Sequence, residues 1–383
     1  MKITDLKLYL VPERFLFLKI ETDEGISGWG EPLLEGRAST LKACVEELRF
    51  MLIGADPLKT EELWQTMYRC LFYRGGPVLM SAISGIDQAL WDIKGKYFNL
   101  PVHKLINGGM KKRIKVYQGV QGETTEALVK IAKERVEQGF KIVKCCPNPA
   151  THYLDSPDKI NQVVRDMYAV REAVGPDIDV AIDFHGRVHK PMASRLVAEL
   201  DPLHLAFIEE PLLPENCEGI DLLRNYTSTP IALGERVFSR WDFKPYFINQ
   251  RVDIVQPDLS HAGGISECVR IASMAEAFDC AIAPHCPLSV IAFAACIQLD
   301  AAMPNSVFQE QSIEIRQSNK NNPNLQWIKN PEVFDFSEGT VAVPQGPGLG
   351  IEVDEERVAW ANENPHSWKN PFWYTEDGTP IEW

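Results

Sequence analysis

The chain has no paired C-x-x-C spacing among its nine cysteines, at 44, 70, 145, 146, 217, 268, 280, 286 and 296. An odd, scattered set of this kind reads as reduced thiols in a cytoplasmic protein and not as a disulfide framework. It also lacks a long run of Lys and Arg. With 39 basic against 53 acidic residues, its formal net charge is -14, a field that repels phosphate backbones and anionic lipid, so neither nucleic acid nor membrane is an expected partner. The start, Met-Lys-Ile-Thr-Asp, carries no basic segment followed by an apolar run and a small-residue cleavage site. The most apolar later stretch, Pro287 to Leu299, is too short to span a bilayer and reads as a buried helix. No Gly-rich phosphate fingerprint follows the first strand-like run of the central region, which disfavours a doubly wound nucleotide-binding sheet.

What is present is a chain of 383 residues, long enough for an α/β barrel of about 250 residues plus an accessory domain. Residues 2 to 31 alternate apolar and polar and turn at Asp23-Glu24-Gly25, which predicts an antiparallel sheet; residues 39 to 96 have helical periodicity. From about 113 a strand-then-helix cycle begins: a strand at 114 to 118, a helix at 124 to 138, a strand at 141 to 146, then strand-like runs before Asp183, Glu209, Glu235, Gln256, His285 and Glu310. Eight strands with intervening helices predict an α/β barrel over 113–328, preceded by an α+β domain over 1–112. The stretch 329–383, rich in Pro, Gly and Trp, is expected to pack back on the first domain.

Polar residues recur at 183, 209, 235, 258, 285 and 310, with gaps of 26, 26, 23, 27 and 25 residues, one strand and helix per step. In a barrel that period gathers one polar group per strand at the C-terminal face, where active sites form. Asp183, Glu209 and Glu235 end three consecutive apolar runs. Three converging carboxylates resist ionising together unless a cation lies among them, and all-oxygen ligation suits Mg²⁺ or Mn²⁺. A single acid at a strand end more often caps a helix or faces solvent; the shared spacing favours the metal.

His185 stands two residues past Asp183, so on an extended strand both side chains point one way, and His285 ends a strand across the barrel. Two imidazoles flanking a substrate are what a proton-abstracting elimination needs, although a core or loop histidine is as common for either alone. Asp258 is placed to bond His285 and fix its tautomer, or else to initiate the turn before Ser260. Lys144 ends the second strand as a candidate for holding a substrate carboxylate. Glu310 ends the eighth and is placed to orient oxygen atoms of an intermediate or to cap a helix.

Gly28-Trp29-Gly30-Glu31-Pro32, Tyr73-Arg74-Gly75-Gly76-Pro77, Ser84 through Asp92, Asp183-Phe184-His185-Gly186-Arg187, Phe207-Ile208-Glu209-Glu210-Pro211, Gln256-Pro257-Asp258 and Ala283-Pro284-His285-Cys286-Pro287 together give the chain a resemblance, along essentially its whole length, to the enolase superfamily. Within it, the mandelate-racemase-like branch and its D-galactonate dehydratases are most similar. The resemblance implies a capping α+β domain on a (β/α)₇β enolase-type TIM barrel, with Mg²⁺ on Asp183, Glu209 and Glu235. It also implies His285 as base with Asp258 as its partner, His185 as the acid that helps a hydroxyl leave, and Glu310 stabilising the intermediate. The expected activity is dehydration of a sugar acid, D-galactonate or a related aldonate, to a 2-keto-3-deoxy acid. A homo-oligomer, commonly an octamer, is implied as well.

The match departs at the second strand. Racemases of the branch carry two lysines separated by one residue there, and galactonate dehydratases an Asn at the later place; this chain has Lys144-Cys145-Cys146, and the loop 147–153 that follows differs too. Cys146 is therefore read as a space-filler or as a substrate contact selecting a different stereochemistry, even a cyclic anhydro-sugar acid. The alternatives to dehydration are cycloisomerisation or epimerisation of a related acid, and a non-catalytic regulatory protein that keeps the barrel.

Overall fold

The computed structural model describes residues 1–12, 14–146, 151–314, 322–364 and 368–382. The chain opens with β1 (Ile3–Val11), β2 (Phe15–Thr22) and β3 (Ser27–Gly30), an antiparallel sheet in that order, followed by α1 (Ala38–Leu52), α2 (Thr60–Arg69), α3 (Pro77–Phe98) and α4 (Val102–Asn107). The turn between β2 and β3 uses Gly25 at φ 78°, where a side chain would be strained. Proline in the first turn of α3 and Asn99 in the left-handed region after it bound that helix. One face of the sheet and the helices share a core that includes Leu16, Leu18, Ile20, Leu41, Trp64 and Ile86, all 1 % exposed or less.

The barrel follows: β4 (Arg113–Val120), α5 (Thr125–Glu137), β5 (Ile142–Cys145), α6 (Pro157–Val174), β6 (Asp179–Asp183), α7 (Lys190–Leu200), β7 (Ile208–Glu209), α8 (Gly219–Leu223), β8 (Ile231–Leu233), α9 (Arg240–Ile248), β9 (Ile254–Val255), α10 (Gly264–Ala277), β10 (Ala281–Ile282), α11 (Val290–Ala302) and β11 (Gln309–Glu310). Neighbouring strands from β4 to β10 pair in parallel, β11 pairs with β4, and a parallel bridge between Ile282 and Ser306 closes the ring. This is the eight-stranded barrel anticipated from the alternation, in the (β/α)₇β form that the resemblance implies. Its interior is filled by Tyr117, Ile142, Ala181, Phe207, Ala232, Ile254 and Ala283, so it is packed and not a pore. The apolar stretch near 290 is the helix α11, buried at every position, and no described helix is long and apolar enough to cross a membrane. All nine cysteines are free.

Past β11 the chain does more than return to the first domain. The strands β12 (Phe336–Ser337) and β13 (Thr340–Ala342) form a hairpin whose second strand runs antiparallel to the start of β4. Next, α12 (Glu355–Glu363) docks on β1, with Glu355 in an ion pair with Lys19 at 2.8 Å and Asn362 accepting the Leu10 amide at 2.8 Å. A final hairpin, β14 (Trp373–Tyr374) and β15 (Pro380–Ile381), ends the described chain.

The first domain sits on the barrel through buried polar contacts that satisfy helix N-termini. Asp87 on α3 accepts the Ser266 amide and hydroxyl at 2.9 and 2.6 Å in the first turn of α10. Glu31 accepts the Ala292 amide at 3.1 Å and the Ser289 hydroxyl at the start of α11. The Trp64 indole donates to the Gly263 carbonyl at 2.8 Å, and Gln88 to that of Leu259 at 2.9 Å. These contacts fix the first domain over the C-terminal ends of the strands.

Candidate functional site

At that face the strand ends bring most of the anticipated side chains together. Lys144, from β5, points its ammonium at three carboxylates: Glu209 at 2.6 Å, Glu310 at 2.8 Å and Asp183 at 3.4 Å. All four side chains are at most 8 % exposed. Strand alternation explains the set. Asp183 is in register with Glu209, and Glu310 with Tyr117 at the inner face of β4, so successive strands present acid to one centre. Lys144 was anticipated as a substrate-carboxylate holder; in the structure its three partners are protein carboxylates.

His285 lies on the far wall. Its Nδ1 is 2.8 Å from the Asp258 carboxylate and its Nε2 is 3.0 Å from Glu235. Asp258 also accepts the Ser260 amide at 2.6 Å, so it orients the imidazole and initiates the turn at once. Burial pulls the His285 pKa down, but the charges of Glu235 and Asp258 overcome it and hold the imidazole well above its ordinary value. Glu235 is correspondingly held well below the usual carboxylate range despite its burial.

His185 reaches the centre by a different route from the one anticipated. The strand β6 stops at Asp183, and His185 sits in the left-handed region at φ 50° with Gly186 following at φ 64°. Asp183 and His185 therefore do not share an extended strand. The turn instead brings Nε2 to 3.1 Å from Asp183 and Nδ1 to 3.1 Å from the Cys146 sulfur. A non-glycine residue in that region is strained unless its surroundings hold it; here the Asp183 carboxylate accepts the His185 amide at 2.8 Å, and the Gly186 amide bonds the Glu210 carbonyl at 2.8 Å. Burial, outweighing Asp183 and Glu235, lowers the His185 pKa, and burial raises that of Cys146 to about 12. Cys146 is thus a neutral thiol against the histidine. Of the divergent loop that follows it, 147–150 lie outside the described residues.

Among the described residues, no three His, Cys, Asp or Glu side chains stand as a closed metal-binding set. Asp183 and Glu209 already face one cation, the Lys144 ammonium, while Glu235 is turned to His285. The donor chemistry nonetheless fits a hard divalent ion. Three buried carboxylates, Asp183, Glu209 and Glu310, stand around the single Lys144 ammonium, so the pocket holds more buried carboxylate than one ammonium satisfies.

Several groups at the site escaped the sequence reading. Gln256 donates to Glu209 at 2.8 Å, and its place in Gln256-Pro257-Asp258 at a strand end was the available signal. Glu210, buried in the left-handed region at φ 41°, pairs with Arg236 through two contacts at 3.2 and 2.5 Å and accepts the Gly234 amide at 3.0 Å; it ties the loop after β7 to that after β8. His261 stands between Glu35, at 3.5 Å, and Asp258, at 3.8 Å.

A cavity of about 840 Å³ is lined by His185, His285, His261, Glu235 and Cys146 of the barrel and by Arg14 and Glu35 of the first domain. Residues 127–357 match the family described as enolase C-terminal domain-like, and residues 10–107 match the mandelate racemase / muconate lactonizing enzyme N-terminal domain. The chain belongs to the enolase superfamily. Members of this superfamily are metal-dependent enzymes. The chain is 49 % identical, over 100 % of both sequences, to a D-galactonate dehydratase of Variovorax paradoxus (strain S110), and 48 % identical over the same span to one of Xanthomonas euvesicatoria pv. vesicatoria (strain 85-10). Among solved structures, a putative dehydratase from Mesorhizobium loti superposes with a TM-score of 0.86 at 31 % identity, covering 96 % of this chain and 99 % of that one. The 3,6-anhydro-D-galactonate cycloisomerase from Zobellia galactanivorans does so with a TM-score of 0.81 at 31 % identity, covering 94 % and 99 %.

Proposed function

We propose that this enzyme dehydrates a sugar acid, D-galactonate or a closely related aldonate, to the 2-keto-3-deoxy acid, with Mg²⁺ as its ion. The observation that carries the reading is the pair of imidazoles at one cavity: His285 braced by Asp258 on one wall, His185 on the other, with buried carboxylates between them. Full-length similarity to curated galactonate dehydratases supports the same substrate class.

Asp183, Glu209 and Glu235 would hold the Mg²⁺. Held there, a divalent cation would supply the positive charge that stabilises the anion formed as the C2 proton is lost, so that an imidazole base suffices. The remaining work falls to side chains. Released from its contact with Glu235, His285 Nε2 would take the C2 proton while Asp258 keeps the opposite nitrogen protonated and oriented. His185, in its protonated form against Asp183, would give a proton to the departing C3 hydroxyl, which leaves as water; the resulting enol gains a solvent proton at C3 and gives up its O–H proton to become the 2-keto acid. Lys144 and Glu310 line the side of the centre where negative charge builds on the substrate carboxylate: the ammonium offsets it, and Glu310 is held in place by Lys144 and by the Cys286 amide at 3.1 Å. The reduced thiols and acidic charge suit an enzyme of the cytoplasm, in which assembly as a homo-oligomer is part of the reading.

Cys146, where galactonate dehydratases resemble one another in an Asn, together with the cycloisomerase among the structural relatives, favours one second reading: ring opening of an anhydro-sugar acid with the same base. The product discriminates. Incubated with Mg²⁺ and D-galactonate, the enzyme is expected to yield a 2-keto-3-deoxy acid detectable as its semicarbazone; turnover of an anhydro-galactonate alone would replace the dehydratase reading.

A further inference from the structure

The last described segment, 368–382, has no core of its own and no residue that is fully buried, yet it runs across the cleft between the two domains. Asn370 lies against Gly36 of the first domain, so close that a Cβ on Gly36 would fall 2.1 Å from its side-chain oxygen. Three residues later the Trp373 indole covers the Arg187 guanidinium at 4.5 Å, a cation–π contact. The hairpin then returns to the barrel loops, with Glu382 3.7 Å from His189. Asn370 and Trp373 both line the 840 Å³ cavity.

Arg187 is unusual in that setting. Among the described residues it has no carboxylate partner, although the cavity is rich in acid; its Nε is buried without a hydrogen bond, and its Nη1 is 3.9 Å from the Cys146 sulfur. Cys146 thereby touches both His185 and Arg187, and all three line the cavity.

We infer that Arg187, clamped by Trp373, forms a subsite for the hydroxyl-bearing end of the substrate. The inference rests on the dehydratase reading, in which His285 acts at C2 and His185 at C3; the next carbons then pass Arg187 at the cavity rim. The Nη2 end of the guanidinium, which has no partner among the described residues, suits a sugar hydroxyl, and a flat indole packs against the C–H face of a sugar chain. The C-terminal segment would so select chain length and the configuration beyond C3.

The test compares KM and kcat for a six-carbon aldonate and a four-carbon aldonate of the same C2 and C3 configuration. Trp373→Ala and Arg187→Lys are expected to raise KM for the six-carbon acid about tenfold, the loss of roughly one good hydrogen bond or packing contact, and to leave the four-carbon KM as it was. Trp373→Phe should recover part of the preference, and Phe372→Ala, one residue away and 79 % exposed, should keep the wild-type ratio. Equal changes for both acids, or none, would overturn the subsite. Failure of the wild-type enzyme on both acids would remove the dehydratase reading and the subsite with it, a result distinct from an unchanged ratio in an active enzyme.

Discussion

His185 and His285 differ in what holds them, and their variants should differ in kind. Asp258 braces His285 at 2.8 Å, whereas His185 is strained at φ 50° and leans on Asp183 and a neutral thiol. His285→Asn is therefore expected to abolish exchange of the C2 proton with D₂O, and dehydration with it. His185→Asn should retain exchange while losing at least about a hundredfold in dehydration, the usual worth of a positioned general acid. NMR of recovered substrate measures the first and semicarbazone formation the second; equal loss of exchange in both variants would reverse the assignment of base and acid. The His261–Glu35 pair gives a pH signature. Burial pulls His261 down, but Asp258 and Glu35 raise it to about 9; burial raises Glu35, but His261 takes it to about 2. A raised imidazole stabilises the fold fully below its unfolded value and loses that contribution as pH climbs through about 9. A depressed carboxyl contributes above its unfolded value and fades as pH falls through about 2. The melting temperature of His261→Gln should thus lie furthest below wild type near pH 5 to 6, with the gap closing toward pH 10. A constant gap would mean that the imidazole contributes by packing alone.

The six periodic residues were legible because a barrel needs one polar group per strand at its C-terminal face, and that need writes itself as a spacing near 26. The left-handed turn at His185 was not, since Asp183-Phe184-His185 reads equally well as extended chain until Gly186 and the Glu210 carbonyl are seen to close it. Nor was the Trp373 contact to Arg187 legible, because no periodicity links residues so far apart in the chain.

At the scale of elements, β7, β9, β10 and β11 are only two residues long, yet each was findable from the apolar run leading to its polar end. Their shortness leaves positioning to the loops and to the first domain, which is packed without slack. A Cβ on Gly30 would lie 1.9 Å from the Gly85 carbonyl oxygen, and one on Gly28 2.1 Å from that of Ala89; both are backbone atoms of α3. Gly30→Ala must then push β3 off α3 and disturb neighbouring Glu31 at the start of α11. A cost of at least about 1–3 kcal/mol is expected from such overpacking, read as a lower denaturant midpoint with an accompanying loss of activity. An unchanged midpoint would show that the sheet and helix are less closely packed than described. Glu31 is set apart by its burial, which raises its pKa to about 7. Its contribution is complete below the unfolded carboxyl value and is lost as pH rises through about 7, so Glu31→Gln should flatten the fall of melting temperature between pH 5 and 8. A fall as steep as in wild type would assign that slope to other groups.

Across the whole molecule, an acidic chain of net charge -14 is asked to bind an anionic acid at a centre already crowded with carboxylates. Among the described residues, Lys144, Arg187, Arg236 and Arg14 bring positive charge to the site, and three buried carboxylates crowd the Lys144 ammonium alone. On the proposed reading a divalent ion held there would offset that charge, and the elimination would depend on it. The most direct measurement follows D-galactonate in D₂O by NMR with chelator-stripped enzyme, before and after Mg²⁺ is restored. The expected course is no reaction without the ion. With it, the product should be a 2-keto-3-deoxy acid carrying one solvent-derived deuterium at C3. Equal turnover without metal, or return of the substrate as its C2 epimer bearing deuterium at C2, would contradict the assignment of a metal-assisted dehydration to this site.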